Sequence, residues 1–243
     1  MKAEPDTALE RSVFYFPSKE RYEDLPAGVE RLTLTTPDAL KLQAWYLAPP
    51  EGRPLVLYFH GNGGNLTGSG GVFQCLRQLD LGVLAVDYRG YGESQGEPSE
   101  QGLYLDALTA YDEALRRGFK PEQLIFYGHS LGGGVATYLA EERPCAGLVL
   151  TATFTSTTDV ARHRKGEVAA RQIDGYDNLA RIKHLKIPVF IMHGDKDQTI
   201  PFEMGQKLHE ACPGSTLWRV EGAGHNDLVD HPEFGQRFKS FVE

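Results

Sequence analysis

The sequence predicts an α/β fold in which helices cover both faces of a mostly parallel sheet of about eight strands. Short and nearly continuous apolar segments recur along its 243 residues, as expected of strands that are buried on both faces of a parallel sheet. Longer segments with helical periodicity separate them, and this alternation favours right-handed crossovers and a doubly wound sheet. Apolar residues make up 41% of the chain and aromatic residues 10%, which is enough for a large core.

The chain begins its regular structure with a predicted antiparallel hairpin at one edge of the sheet. Residues 29–35 and 40–47 alternate apolar and polar side chains, and residues 36–39 supply the turn between them. A later strand is expected near residues 216–220. The remaining five predicted strands are the continuous apolar segments Leu55–Phe59, Val83–Val86, Leu124–Tyr127, Leu148–Leu150 and Val189–Met192.

Five helices are predicted between and after these strands. In the second of them, Leu105, Leu108, Tyr111 and Ala114 recur at helical spacing and form a stripe that faces the core. The five helices are expected over Leu66–Leu79, Gln101–Arg117, Leu131–Glu141, Phe202–Ala211 and Pro232–Val242.

Length and composition limit the classes of protein that fit. We expect a single domain over residues 1–243 with an N-terminal arm at residues 1–28, because α/β folds of this size are commonly undivided. The net charge of −8 argues against nucleic acid and anionic membrane as partners. Three scattered cysteines and no zinc-spaced histidine pair predict neither a metal site nor a disulfide framework, and no cofactor is expected.

The N-terminus is polar and lacks the apolar segment of a signal peptide, and no segment of the chain approaches membrane-spanning length. We therefore expect a cytoplasmic protein, or a membrane-anchored one whose N-terminal anchor is missing from this sequence. The sequence gives no basis for predicting an oligomeric state.

The pentapeptide Gly128-His129-Ser130-Leu131-Gly132 lies between a predicted strand and a predicted helix. A G-x-S-x-G sequence in that position places its serine on a sharp turn, with the hydroxyl directed away from the sheet. Gly128 and Gly132 lack a Cβ, so the strand and the helix can approach closely. The helix N-terminus beneath the serine favours developing negative charge. Ser130 is the candidate nucleophile, and the alternative is an ordinary helix-capping serine.

Acidic residues and a histidine follow Ser130 at the ends of later strands. Asp195 and Asp197 both follow the strand at 189–192, and spacing alone does not choose between them. His225 lies in the glycine-rich loop after the last predicted strand. In a triad the imidazole removes the serine proton, and the carboxylate holds the imidazole in the required tautomer. The order Ser, Asp, His is that of α/β-hydrolases and not that of chymotrypsin or subtilisin.

A glycine-rich loop that begins with His60 and Gly61 follows the strand at 55–59. Enzymes with this order take one oxyanion-hole donor from that loop and the other from the residue after the nucleophile. We therefore predict that the backbone N–H groups of Asn62 and Leu131 form the oxyanion hole. His60 is expected to make supporting hydrogen bonds beside the site, and His129 to pack against it. A phosphate-binding loop is the alternative, but no Walker lysine follows it.

Four segments resemble the α/β-hydrolase superfamily, and the resemblance extends from about Val29 to the C-terminus. The segments, residues 60–65, 87–94, 128–133 and 193–197, are similar to those of a branch that includes membrane-anchored α/β-hydrolase-domain proteins and protein depalmitoylases. Bacterial serine hydrolases of unknown substrate share them. The resemblance implies the α/β-hydrolase fold and a serine hydrolase that needs no cofactor.

The resemblance also implies which aspartate completes the triad. The family pattern G-x-x-D followed by an apolar residue and proline matches Gly194, Asp197, Ile200 and Pro201. Asp197 is therefore the implied acid, and Asp195 would be a turn residue that bonds local N–H groups. A distant alternative is Asp159, which follows the sixth strand.

The family places its lid where this chain has no predicted strand, between about residues 153 and 186. The resemblance thus implies a small lid of one or two helices and a rather open site. The segment is basic although the protein is acidic, which suggests attraction of an acidic substrate or leaving group; the alternative is a solvated helix face. Its basic residues are Arg162, His163, Arg164, Lys165, Arg171, Arg181, Lys183, His184 and Lys186.

These observations predict a serine hydrolase that cleaves esters or thioesters of a small-molecule or acylated substrate through an acyl-enzyme intermediate. Within the family, an acyl-protein thioesterase and a serine peptidase are the alternatives. The rival from another class is a binding protein on a hydrolase fold that has lost catalysis, because fold alone does not fix function.

Overall fold

The computed structural model describes residues 14–243, so residues 1–13, which begin the predicted arm, lie outside the described residues. The described part of the arm packs on the body of the protein, where Phe14 and Tyr15 are buried. Strand β1 (Phe16–Pro17) runs parallel to the two-residue strand β5 (Gly63–Gly64). This short pairing attaches the arm to the glycine-rich loop that was predicted to hold an oxyanion-hole donor.

A mostly parallel sheet of eight strands forms the centre of the molecule, which confirms the predicted fold class. Its strands are β2 (Glu30–Thr35), β3 (Lys41–Leu47), β4 (Leu55–Phe59), β6 (Gly82–Val86), β7 (Leu124–His129), β8 (Gly147–Thr151), β9 (Val189–Gly194) and β10 (Ser215–Val220). Their order across the sheet is β10-β9-β8-β7-β4-β6-β3-β2.

The antiparallel pairs lie at one edge of this sheet. Strands β2 and β3 form the predicted hairpin, and β3 also pairs antiparallel with β6, whereas all the other pairs are parallel. Every residue of β4, β6 and β8 is buried. Their sequences are continuously apolar because both faces of these strands are covered by helices.

Helices pack on both faces of the sheet. Their bounds are α1 (Gly70–Gln78), α2 (Glu100–Arg116), α3 (Leu131–Glu142), α4 (Thr157–Lys165), α5 (Glu167–Ala170), α6 (Asn178–Ile182), α7 (Phe202–Ala211) and α8 (Phe234–Val242). Apolar side chains of α1 and α8 share one core layer with the sheet. Those of α2, α3 and α7 share the layer on the opposite face.

The predicted helix over Leu66–Leu79 begins later than expected. Residues Leu66–Gly68 form a single 3₁₀ turn, and α1 starts only at Gly70. The side chain of Asn65 accepts a hydrogen bond from the amide of Thr67 at 2.9 Å and caps that turn. Local capping by Asn competes with continuous helix, so the periodicity indicated the helix but not its first residue.

The segment from 153 to 186 holds three short helices, α4, α5 and α6, where one or two were predicted, and no strand. Gly166 separates α4 from α5 because its φ of 82° lies outside the helical region. Asp177 then caps α6, accepting a hydrogen bond from the amide of Ala180 at 2.9 Å. The segment connects the carboxyl end of β8 to the amino end of β9.

Within the described residues, no helix has both the length and the apolar character needed to cross a membrane. Cys75, Cys145 and Cys212 are free thiols. Over the same residues, no group of three or more His, Cys, Asp or Glu side chains is arranged to hold a metal ion.

Candidate active site

Ser130 lies on the turn between β7 and α3 in a conformation that non-glycine residues rarely adopt. Its φ of 52° and ψ of −115° place it in a strained region of backbone space. Hydrogen bonds on both sides hold the turn: the Ser130 amide donates to the carbonyl of Thr151, and the Thr153 hydroxyl donates to the carbonyl of Ser130, each at 2.9 Å. The sharp turn predicted from the pentapeptide is therefore present.

The glycines of the pentapeptide lie where strand and helix backbones touch. A Cβ added at Gly132 would lie 1.9 Å from the carbonyl oxygen of Phe59, and one added at Gly128 would lie 2.2 Å from the carbonyl oxygen of Gly132. Both distances are far below van der Waals contact, so only glycine fits without a backbone shift. This close approach packs the N-terminus of α3 against the end of β4.

Replacing Gly132 with alanine is expected to lower the free energy of unfolding by about 3 kcal/mol, because the new methyl group would overlap backbone atoms. Urea denaturation measures the change. Gly214 is the matched control, since a Cβ there meets nothing within 4 Å. Its replacement by alanine should change the free energy by no more than about 0.5 kcal/mol. Equal effects at the two positions would contradict the packing described here.

The three residues proposed as a triad lie within hydrogen-bonding distance of one another. His225 Nε2 is 3.0 Å from the hydroxyl of Ser130, and His225 Nδ1 is 2.7 Å from Asp197 Oδ2. The three come from the ends of β7, β9 and β10, which are brought to one edge because parallel strands share their carboxyl ends. Ser130 and Asp197 are buried and His225 is half-buried, so the hydroxyl lies at the floor of an accessible depression.

Asp197 is held in place on both of its carboxylate oxygens. Oδ1 accepts hydrogen bonds from the amides of Thr199 at 2.8 Å and Ile200 at 2.9 Å, and Oδ2 faces His225. Burial by itself would raise the pKa of Asp197, but hydrogen bonds from His193 and His225 outweigh it and hold the pKa well below its usual range. The carboxylate is therefore ionised and oriented toward the imidazole.

The other two acidic candidates lie elsewhere. Asp195 accepts a hydrogen bond from the amide of Gly222 at 2.8 Å and pairs with the exposed Arg219, as expected for a turn residue. Asp159 lies in α4, where it accepts the Thr155 hydroxyl at 2.5 Å and pairs with Arg162. Neither of them contacts His225, so the geometry favours the aspartate that the resemblance implied.

His193, near the carboxyl end of β9, contacts the carboxylate of Asp197 and the loop that follows it. Its Nε2 lies 2.8 Å from the carbonyl oxygen of Ile200, which can only accept, so Nε2 carries the proton. The same nitrogen is 3.4 Å from Asp197 Oδ2. The side chain is fully buried, and it packs against Gly205 of α7, where a Cβ would lie 2.5 Å from His193 Nδ1. His193 therefore fixes the loop that carries Asp197.

The loop predicted to carry one oxyanion donor is tightly anchored. The hydroxyl of Tyr91 and the amide of Phe16 both donate to the carbonyl of Asn62 at 3.0 Å. The hydroxyl of Tyr88 donates to the carbonyl of His60 at 2.9 Å, and His60 Nδ1 donates to the carbonyl of Gly61 at 2.8 Å. The contact from Phe16 had no sequence signal, because it depends on the pairing of the arm with this loop.

The two predicted oxyanion donors line the same small cavity as Ser130. Within residues 14–243, the amides of Asn62 and Leu131 donate no hydrogen bond, so both are available to an incoming oxygen atom. Leu131 is the first residue of α3, where a helix leaves its amides unpaired. These contacts agree with the predicted role of the two amides, which stays a prediction about the reaction.

His129 packs beside the triad rather than entering it. Its Nδ1 is 3.2 Å from the hydroxyl of Thr151, and its ring centroid is 5.3 Å from that of His225. Burial, together with the nearby His225, lowers the pKa of His129 to about 4. The side chain is therefore neutral near pH 7 and places no positive charge next to the candidate base.

A cleft of about 650 Å³ opens beside Ser130 and His225. The glycine-rich loop forms one wall of this cleft, and the ends of β4 and β7 form part of the floor of the cleft. Apolar and aromatic side chains accompany polar ones, so the cleft fits a substrate of mixed polarity. The side chains that line it beyond the triad include Tyr22, Tyr58, Val72, Tyr127, Leu228 and Val229.

Comparisons with known proteins agree with this architecture. A family model described as the alpha/beta hydrolase fold matches residues 54–171 and 160–232. The uncharacterised protein Rv2307c of Mycobacterium tuberculosis is 35% identical over 228 residues, covering 90% of this chain and 81% of that protein. Human alpha/beta hydrolase domain-containing protein 17C is 34% identical over 198 residues, covering 79% of this chain and 59% of that protein.

Solved structures show the same fold at lower identity. The Pyrococcus furiosus esterase Pf2001 superposes with a TM-score of 0.79 at 20% identity, covering 94% of this chain and 97% of that one. At this identity the likeness concerns the arrangement of strands and helices and carries no information about substrate.

Proposed function

Since the chain belongs to the α/β-hydrolase family, we propose that it is a serine hydrolase that cleaves carboxylic esters or thioesters through an acyl-enzyme intermediate. One observation carries the proposal: the hydroxyl of Ser130, the imidazole of His225 and the carboxylate of Asp197 form a continuous chain of hydrogen bonds of 3.0 and 2.7 Å. The strained turn at Ser130 supports it, because strain of this kind is concentrated at functional sites.

In the proposed reaction, His225 Nε2 removes the proton of Ser130 as the hydroxyl oxygen attacks the acyl carbon. The ionised Asp197 accepts a hydrogen bond from Nδ1–H and stabilises the imidazolium that forms. Negative charge on the former carbonyl oxygen is bound by the amides of Asn62 and Leu131. Each such donor contributes roughly 2.7–4 kcal/mol to transition-state stabilisation in related chemistry.

The same groups complete the acylation of Ser130 and then carry out the hydrolysis of the acyl-enzyme. His225 gives its proton to the leaving alcohol or thiol, and the ester bond to Ser130 remains as the acyl-enzyme. Water then enters, and His225 removes a proton from it as its oxygen attacks the acyl carbon. The bond between the acyl carbon and the Ser130 oxygen breaks, His225 gives the proton to that oxygen, and the acid is released. In the proposed reaction, His225 is the proton donor or acceptor in every step.

The substrate proposed for the site is a small or extended acyl ester. The Pyrococcus furiosus structural neighbour is an esterase by name, and the cleft beside Ser130 is open and only partly apolar. An open cleft of this kind accommodates short acyl groups, or a longer chain that lies along the surface.

A fluorophosphonate probe combined with an ester series tests the proposal. We expect stoichiometric labelling of Ser130, because only an activated serine reacts quickly with fluorophosphonates. We also expect hydrolysis of p-nitrophenyl esters in a series from acetate to palmitate. The rate should be highest at one acyl chain length, which indicates the length of acyl group that the site accommodates. Absence of both labelling and hydrolysis would instead support a binding protein that has lost catalysis.

A further inference from the structure

Arg164 is a half-buried cation beside the proposed oxyanion site. It lies in the last turn of α4 and lines the small cavity that also contains Ser130, Asn62 and Leu131. Arg164 is the one charged side chain among the residues that line this cavity in the described part of the chain. The other walls are apolar and come from Phe14, Phe154, Val160 and Ile200.

Arg164 differs from comparable arginines because, within the described part of the chain, no carboxylate forms an ion pair with it. Within residues 14–243, its guanidinium makes neither an ion pair nor a hydrogen bond. Half-buried Arg117 and Arg181, in contrast, pair with Glu113 and Glu141. On the same helix, Arg162 pairs with Asp159 and Glu167. Among residues 14–243, the carboxylate of Asp197 acts on Arg164 electrostatically, but it is hydrogen-bonded to His225 rather than to the guanidinium. Arg164 is therefore a cation at the site that no carboxylate of the described residues pairs with directly.

Placing an unpaired guanidinium against apolar walls has a cost in free energy that an anion would offset. Burial lowers the pKa of Arg164, although arginine remains protonated at any working pH. Its planar group matches the two oxygens of a carboxylate and can bind them in a bidentate manner. The cavity thus combines a cation, apolar walls and the reacting serine in one place.

We propose that Arg164 binds a carboxylate carried by the substrate, so that this hydrolase prefers monoanionic esters or thioesters to neutral ones. The inference rests on the proposed function and specifies its substrate class. The free volume of the cavity is about 10 Å³, room for about one water molecule. This space admits a single oxygen atom, so most of the substrate, including the body of its carboxylate group, must lie in the adjoining cleft, which shares Ser130 and Asn62 with the cavity.

The carboxylate could belong to the acyl group or to the leaving group, and two matched pairs of esters distinguish these sources. For the acyl group, p-nitrophenyl hemisuccinate is compared with p-nitrophenyl 4-methylpentanoate, in which two methyl groups replace the carboxylate oxygens. For the leaving group, 4-butyryloxy-3-nitrobenzoate is compared with 2-nitrophenyl butyrate. Rates with the Ser130→Ala variant are subtracted as the uncatalysed background.

Replacement of Arg164 by glutamine is expected to lower kcat/KM about 10- to 100-fold for the anionic member of one pair, through loss of a charged hydrogen bond. The neutral member should be nearly unaffected. Arg164→Lys should retain part of the preference, since it keeps the charge but not the bidentate geometry. Arg162→Gln is the matched control, because the exposed Arg162 already pairs with two carboxylates of the protein.

An equal loss on both members of each pair would overturn the inference, because Arg164 would then act on the reaction or the fold rather than on a substrate carboxylate. Unchanged rates in Arg164→Gln would overturn it as well. If the wild-type protein labels with fluorophosphonate but shows no anion preference, only this inference fails. If the wild-type protein is not labelled by fluorophosphonate and hydrolyses no ester, both the proposed function and this inference are wrong.

Discussion

Alanine at position 130 is expected to reduce kcat for p-nitrophenyl esters by about 10⁶-fold, close to the rate given by binding and the oxyanion donors alone. The reason is that the variant lacks the oxygen that forms the acyl-enzyme, and His225 has no proton to remove. Initial rates at saturating substrate measure the loss. The same variant should also lose all fluorophosphonate labelling, because the probe forms its bond with that oxygen.

Ser240 supplies the matched control for this experiment. It is an exposed serine on α8, outside the residues that line the cleft, and its replacement by alanine should leave both kcat and labelling unchanged. The melting temperature of each variant shows whether the fold is retained. Turnover like that of the wild type in Ser130→Ala would refute the assignment of Ser130 as the nucleophile.

Asparagine at position 197 is expected to lower kcat by about 10⁴-fold while leaving the fold in place. The amide is nearly the same size as the carboxylate, and its oxygen can still accept the hydrogen bonds from Thr199 and Ile200. It carries no charge, however, so it neither holds His225 in the required tautomer nor stabilises the imidazolium. The effect should fall on kcat more than on KM, because that interaction strengthens in the transition state.

Asparagine at position 195 is the comparison that separates the two aspartates. Asp195 lies two residues before Asp197, but its carboxylate faces Gly222 and Arg219 instead of His225. Its replacement should change kcat by no more than a few-fold, since an exposed ion pair contributes little. Losses of equal size at both positions, or a larger loss at 195, would show that the acid has been wrongly assigned.

Much of the fold was predictable because burial leaves a direct pattern in the sequence. Strands covered on both faces are apolar at nearly every position, so β4 matched its predicted bounds and β6 and β8 differed by one or two residues. The hairpin of β2 and β3 was predictable for a related reason, since its outer strand is covered on one face and alternates. Helix α7 was predicted with its observed bounds, Phe202–Ala211.

The errors arose where a local interaction overrides periodicity. The side chain of Asn65 closes a 3₁₀ turn before α1, and Gly166 separates two helices in the basic segment, which has three helices where one or two were predicted. Capping and positive φ angles act on single residues, and an apolar pattern averaged over a window does not detect them.

The sequence by itself determined the fold class and the order in which Ser130, Asp197 and His225 follow their strands. Parallel strands end at one edge, so that order already predicts that the three lie together. Only the tertiary structure decided which carboxylate faces the imidazole and which cation of the basic segment lines the cavity beside Ser130. Asp195 and Asp197 are two residues apart, and so are Arg162 and Arg164 on α4. Their environments depend on the packing of loops distant in sequence, and such contacts leave no periodic signal.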